Sequence, residues 1–378
     1  MNKKKIISLL LIFLYLPQIN EAQKTTLLKG TIGKYPVIME LDVYGDTAVN
    51  LIYFYKNIRK NVNLEGTINK EGSIDAVRFN NYEEKFDSTS EQIELKKVNE
   101  KYIGKWTTTK RILPVRLIPF LINKFPNPYK KYSSIKDLVE QTPLDYIRIA
   151  GLYFIKDSTT NKSGFYLDWY HERYSHIILL RLRKDSMTQA LKRVNEQLKE
   201  IQLLESNYLL SCSSTIGETE FEQQITNIFL NNDILSINLF TNYYCGGAHP
   251  DFGSSGSSFN LHTGSKLHLD DLLNFGKYPK EESNEWLDYR GSVFAPKIIS
   301  ILKELYPMKM KKPISQDDCD YTDADVWSFP NWYFTKEGLY IGAYFARVQR
   351  ECDEPEWSVI PYKIIKKYMI NSLKIKLP

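Results

Sequence analysis

No apolar run in this chain reaches the roughly twenty residues that a bilayer-spanning helix needs; the longest, Ile6 to Leu16, is interrupted by Ser8. No basic block stands out either. Lys and Arg number 50 against 45 Asp and Glu, a formal net charge of +5, and setting aside Lys3, Lys4, Lys5 and Glu21 leaves +3. A near-neutral balance without a cationic stripe gives no reason to expect nucleic acid as a partner. Histidine is scarce at five and cysteine scarcer at four, with no C-x-x-C pair, so the common zinc motifs are absent. A Gly-x-Ser-x-Gly nucleophile elbow is absent too. With 18 Gly and 16 Pro in 378 residues the chain is neither collagenous nor low in complexity, and 43% apolar with 25% charged residues describes a globular protein. At about 150 residues per domain, two or three domains are expected.

What is present first speaks to compartment. Lys3 to Lys5, the apolar run and a polar stretch ending Asn20-Glu21-Ala22 follow the order of a secretory signal peptide, so residues 1–22 are expected to be a cleaved leader and the protein periplasmic or secreted. In an oxidising compartment Cys212, Cys245, Cys319 and Cys352 read as two disulfides, for which three connectivities exist. Cys319 and Cys352 flank a hairpin turning at Glu337-Gly338, and their roughly balanced offset could bring them together across it. In that case Cys212 and Cys245 pair by elimination, across a second hairpin turning at Asn231-Asn232-Asp233; the sequence alone leaves the connectivity open.

Residues 24–122 read as short strands: 27–32, 37–43, 50–55, 62–67, 73–79, 92–97 and 101–107, separated by Gly, Asn and Asp turns. Even spacing of this kind predicts an antiparallel β meander, a sandwich or partial barrel. Leu51, Tyr53 and Tyr55 alternate with Ile52 and Phe54, so that strand has apolar residues on both faces. Residues 123–143, with Pro126, Pro128 and Pro143, read as a linker holding one short helix around 135–139. Residues 144–370 read as an α+β domain. Its strands are expected at 146–154, 164–169, 177–182, 221–229, 234–244 and 257–261. An amphipathic helix is expected from Ser186 to Leu204, capped by Asp185 or Ser186, with shorter helices at 269–275 and 298–305.

The densest cluster of unusual residues runs from Tyr243 through Cys245, Gly246, Gly247, Ala248, His249 and Pro250 into a Gly/Ser loop at 253–258. Gly246 and Gly247 suit a structural turn with positive φ, and the ring of His249 is expected to satisfy backbone groups of that loop. His249, His262 and His268 fall close together, yet their spacing matches no metal motif, so no metal or cofactor is expected. Asp317, Asp318 and Asp320, with Asp323 and Asp325, make an acidic loop around Cys319. Such a loop suits a basic protein partner; the turn glycine of a calcium-binding EF-hand is missing.

Four stretches in order carry a resemblance: Gly246-Gly247-Ala248-His249, the run from Phe259 to Leu273, Trp332 to Leu339, and Val359-Ile360-Pro361-Tyr362. Across residues 209–367 the chain resembles the RsiV-like domain. That domain is the lysozyme-binding extracellular part of certain anti-sigma factors and accompanies PdaC-type peptidoglycan deacetylases. The resemblance implies a packed α+β fold and a lysozyme-like protein or peptidoglycan as partner, and it carries over no catalytic residue. Tyr344 to Cys352 departs from the family pattern at the partner surface. Gly30, Ile32, Gly33, Tyr35 and Pro36 resemble the opening of β-rich exported modules of Bacteroidetes-like bacteria. The function expected is therefore a non-enzymatic envelope protein that binds a protein or cell-wall glycan. The alternative is a peptidoglycan hydrolase or deacetylase centred on His249.

Overall fold

The computed structural model describes residues 24–79, 86–87, 90–276, 278–315 and 318–378. The expected leader at 1–22 and Asp317 lie outside the described residues. Eight strands come first: β1 (Lys24–Ile32), β2 (Tyr35–Tyr44), β3 (Ala48–Tyr55), β4 (Asn61–Ile68), β5 (Ser73–Arg78), β6 (Glu91–Val98), β7 (Lys101–Thr107) and β8 (Ile112–Pro119). Each is antiparallel to the next, and β8 returns to β1 with Ile32 opposite Val115 and Leu28 opposite Pro119, so the sheet is a closed barrel. The closing strand is the one that the seven-strand sequence pattern misses. Leu113, Val115 and Leu117 alternate properly in β8, but Pro114 and Arg116 blunt the signal, and proline is ordinarily excluded from strands bonded on both sides.

Alternation along each strand sends Leu28, Ile32, Met39, Leu51, Leu64, Ile93 and Leu117 into the barrel, where they are buried. Eight strands leave an interior just wide enough for side chains to fill. Tyr53 also points inward, and its hydroxyl donates to Glu91 Oε2 at 2.7 Å, next to the Trp106 indole N–H on the same oxygen at 2.8 Å. The other face of β2 and β3 is covered as well. Ile38 and Phe54 pack with Tyr129, Tyr132, Ile135, Leu144 and Ile147. These come from α1 (Ser133–Gln141), α2 (Pro143–Ile149) and the chain before them. Tyr129, Tyr132 and Ile135 of the 123–143 segment thus pack against the barrel, and the segment is tied to the following chain by the Tyr129 hydroxyl donating to the Leu152 carbonyl at 2.7 Å and the Asn127 amide to the Tyr146 carbonyl at 2.9 Å. Where a strand is expected from Tyr146, the chain is α2. Pro143 fits the first turn without losing a bond and Asp145 favours the positive N-terminal end, which together outweigh the β propensity of Tyr146, Ile147 and Ile149.

Next come β9 (Phe154–Lys162), β10 (Phe165–Glu172) and β11 (Ile178–Arg183), a three-stranded sheet, and α3 (Gln189–Ser211). The cap of α3 is Thr188, whose hydroxyl accepts from Leu191 N–H at 3.2 Å, downstream of the expected Asp185 or Ser186. Leu191, Val194 and Leu198 bury against that sheet, whereas Leu203 and Leu210 join the core under α1 and α2. One long helix thus ties two cores together. A second sheet follows in β12 (Glu220–Leu230), β13 (Ile234–Tyr244) and β14 (Asp251–Asn260). After α4 (Leu269–Leu272), α5 (Asn284–Tyr289) and α6 (Ala295–Leu305) comes a third, made of β15 (Asn331–Phe334), β16 (Gly338–Gly342) and β17 (Val359–Pro361), and then α7 (Tyr362–Tyr368). Trp327, Phe294, Leu302, Phe334, Leu339 and Ile360 form the largest core between these helices and sheets. The architecture is mixed α and β, dominated by β. Among the described residues no helix is long and apolar enough to cross a membrane.

Both disulfides are formed. Cys319–Cys352 joins the acidic loop to the chain before β17, with Cα atoms 5.5 Å apart. Cys212–Cys245 has a Cα separation of 4.8 Å and fastens the end of α3 to the end of β13. Cys212 thus sits at a helix terminus, not on a hairpin strand, because α3 runs past the expected Leu204.

Glu40 on β2 has one carboxylate oxygen, Oε2, buried without a hydrogen-bond partner. Burial, then the charges of Asp42 and Asp145, push its pKa up to about 7. The folded state therefore holds a proton that the unfolded chain releases at its ordinary pKa of 4.5, and the stability this contributes is complete below about 4.5 and lost as pH rises through about 7. Glu40→Gln is expected to stabilise the protein by about 2 kcal/mol at about pH 8, a value lowered from the full shift for partial exposure. At about pH 4 it should change nothing. Urea unfolding of both proteins at the two pH values checks this.

Candidate functional site

Two sheets meet at a point set by glycine. The Gly/Ser stretch 253–258, expected as a loop, is part of β14 and pairs residue for residue with β13, Gly256 opposite Asn238. Its strand character comes from its neighbours, since glycine and serine supply little of their own. β15 crosses so close above it that a Cβ on Gly256 would lie 1.9 Å from the Trp332 carbonyl oxygen. In place of that side chain, Gly256 N–H donates to Asn331 Oδ1 at 2.7 Å. The Asn331 amide nitrogen then reaches Asn238 Oδ1 and Glu354 Oε1, each at 3.1 Å. Deeper in the junction, Phe334 N–H donates to the Ser236 hydroxyl at 3.0 Å, and the Ser236 and Ser258 hydroxyls share a 2.8 Å bond.

Away from the crossing the small side chains of Gly253, Ser254 and Ser255 leave an open floor. The segment from Ala343 to Glu354 folds over it and encloses a cleft of about 290 Å³. Arg350 organises the wall. Its Nη1 donates to the Tyr344 hydroxyl at 2.8 Å, its Nη2 donates to the Phe252 carbonyl, and Nη2 lies 3.2 Å from Asp251 Oδ1. Its Nε is 2.9 Å from Asp353 Oδ2, within ion-pair distance but off the hydrogen-bond axis. The guanidinium also faces the rings of Tyr344 at 4.9 Å and Phe252 at 5.2 Å.

Glu354, at φ +51°, turns its carboxylate onto the floor, where Oε2 accepts from the Ser254 hydroxyl at 2.6 Å. Burial raises the pKa of this carboxyl, with Asp353 adding to the rise, while the bonds from Ser254 and Asn331 oppose it. Asp353 is likewise raised by burial, against the Phe345 N–H at 2.6 Å and the Arg350 charge. Around these polar groups the rim is aromatic and open: Tyr344 is 59% exposed, Phe329 50% and Phe252 38%. Fixed carboxylate, amide and hydroxyl groups beside part-exposed aromatic rings can hold a ligand that combines apolar surface with hydroxyl groups.

The residues singled out in the sequence lie elsewhere. The three neighbouring histidines go to separate partners: His262 to Asp233, His268 to Glu281 at 3.1 Å, and His249 stands exposed. It is the carbonyl of His249, not its ring, that is bonded, by Arg347 Nη2 at 3.3 Å. The ring makes no hydrogen bond to a described residue, and the backbone groups of 253–258 that it was expected to satisfy lie in the strand pair β13–β14; Gly246 and Gly247 before it take φ +94° and +99°. Asp318 is exposed, and Asp320 spends its Oδ1 on Thr322, accepting the backbone N–H at 2.9 Å and the hydroxyl at 2.5 Å. Among the described residues no group of three or more His, Cys, Asp or Glu could hold a metal. Arg350, Glu354, Asn331 and the rim aromatics were missed. For Arg350 and Tyr344 the available signal was the density of charged and aromatic residues between Tyr344 and Cys352; Asn331, Glu354, Phe329 and Phe252 lie outside that stretch and carried no comparable signal.

No family model matches the chain, and no curated protein matches it. Among solved structures, the crystal structure of a member of the DUF3298 family from Bacteroides fragilis is similar over 60% of this chain and 97% of that one, at 14% identity and a TM-score of 0.31.

Proposed function

We propose that this is an exported, non-enzymatic protein of the bacterial envelope whose C-terminal half binds cell-wall glycan in the cleft walled by Arg350. The observation that carries the reading is the pairing of the part-exposed aromatic side chains Tyr344, Phe329 and Phe252 with the hydrogen-bonding groups of Glu354, Asn331 and Ser254. A glycan chain offers apolar C–H faces to the rings and hydroxyl edges to the carboxylate and amides. The two disulfides and the leader sequence support an oxidising compartment outside the cytoplasm. The resemblance of residues 209–367 to the RsiV-like domain supports an envelope partner. The dispersal of His249, His262 and His268 among separate partners speaks for binding over catalysis.

The test is co-sedimentation with purified insoluble peptidoglycan. The secreted chain is expected in the pellet, and Tyr344→Ala or Phe252→Ala each to weaken binding about tenfold, the ~1.4 kcal/mol of a well-placed aromatic contact. His249→Ala should bind as the wild type does. Release of soluble fragments or acetate, abolished by His249→Ala, would establish the enzyme instead. Equal pelleting of wild type and both cleft variants would remove the cleft from the account.

A further inference from the structure

The barrel carries a second surface unrelated to this cleft. Lys29 on β1, Lys56 after β3, Lys101 on β7, Arg116 on β8 and Lys124 just beyond it converge on two adjoining grooves of about 430 Å³ each, which share Lys29 and Lys56. No carboxylate lines either groove. All five cations are exposed, and none forms an ion pair with a described residue. In a chain whose charges nearly balance, five such cations in one place are a local excess produced by the fold, because strand pairing sets Lys29 opposite Ile118 and Ile103 opposite Arg116. Between the charges stand uncovered apolar side chains: Ile103 and Ile118 are each 42% exposed and Leu121 64%.

We infer that this outer wall of the barrel docks on the anionic headgroups of a phospholipid surface. The cations supply the electrostatic attraction, and long lysine stems lie along apolar surface while their ammonium groups reach phosphate. The isoleucines and Leu121 decide between a lipid surface and a free polyanion. A soluble polyphosphate engages the charges alone, whereas a headgroup layer also offers acyl-chain boundary to the apolar residues. The wall is formed by β7, β8 and β1, and its second groove borders the helical layer, where Ile38 and Phe120 belong to the core beneath α1 and α2.

The test is flotation of the secreted chain with vesicles of phosphatidylcholine containing a quarter phosphatidylglycerol, beside vesicles of phosphatidylcholine alone. Binding is expected only to the anionic vesicles, and to weaken with added salt. Lys29→Gln/Lys56→Gln/Arg116→Gln should lower the partition coefficient about a hundredfold, at about fivefold for each charge removed. Ile118→Ser/Leu121→Ser should lower it about tenfold. All five side chains are exposed, so melting temperatures should stay at the wild-type value, and peptidoglycan co-sedimentation should be unchanged in both variants. Lys303→Gln/Lys309→Gln/Lys311→Gln removes the same charge from the C-terminal half and should bind as the wild type does. Failure to float with anionic vesicles, or an equal loss in the C-terminal triple variant, would overturn the inference. So would inorganic polyphosphate binding with no loss in the Ile118/Leu121 variant, which would identify a soluble polyanion.

Discussion

Replacing Arg148 by methionine is expected to lower the stability of the protein by about 3 kcal/mol, near the bottom of the range for breaking one partner of a buried ionic network, and to split its thermal unfolding into two transitions. Arg148 is fully buried on α2. It donates to Asp145 on its own helix, to Asn207 on α3 at 2.6 Å and to Asn61 at the start of β4. Its own carbonyl accepts from Arg59 Nη1 at 3.0 Å, and its guanidinium lies over the Phe54 ring at 5.4 Å. One side chain therefore joins the barrel, the helical layer and the long helix that leads to the C-terminal half. Methionine fills similar space without a donor, which leaves the Asn61 and Asn207 oxygens desolvated and unpaired. The cost stays at the low end because Asp145 is 22% exposed and can turn to water, and because Arg148 Nε already has no partner. Calorimetry of wild type and variant, each in a single scan, reads both the loss and the split.

The second large effect is at Gly256. Gly256→Val should cost about 3 kcal/mol or more, as overpacking against immovable backbone does, and should abolish glycan binding along with it. The Trp332 carbonyl cannot retreat without pulling β15 off the Ser236 hydroxyl and the Asn331 amide off Glu354. Gly253→Ala is the matched control. A Cβ there meets only Arg350 Nη2, at 3.9 Å, and stability should stay within about 0.5 kcal/mol. Two glycines on one strand, three residues apart, thus separate a packing requirement from a tolerant position on the cleft floor. Chemical denaturation of the two variants checks the contrast.

How far the sequence reveals this molecule depends on whether the deciding forces are local. Period-two alternation marks β2 and β3 plainly, and the apolar residues on both faces of β3 correspond to its burial between the barrel interior and the helical layer. α3 is legible from its spacing, although its start shifts to Thr188. α2 and β14 are not legible. The first is held helical by Pro143 and by burial among apolar neighbours against a local β preference, and the second is held extended by β13 beside it and β15 above it. The cleft is hidden for a related reason: Ser254 and Glu354 meet across a hundred residues of sequence. The histidines drew notice because they are few, yet each was already committed locally or exposed. The cations of the barrel wall are scattered over three strands and two connecting segments, so composition read as neutral where the surface is not.

The most direct test of the central claim is isothermal titration of the protein with soluble glycan strands cut from peptidoglycan, run in parallel with Tyr344→Ala and Glu354→Gln. One binding site per chain is expected, weakened about tenfold by loss of the Tyr344 ring and by a similar factor when the Glu354 carboxylate becomes an amide that can no longer accept from both Ser254 and Asn331. Equal heats for all three proteins, or no heat with the wild type, would contradict the glycan-binding cleft.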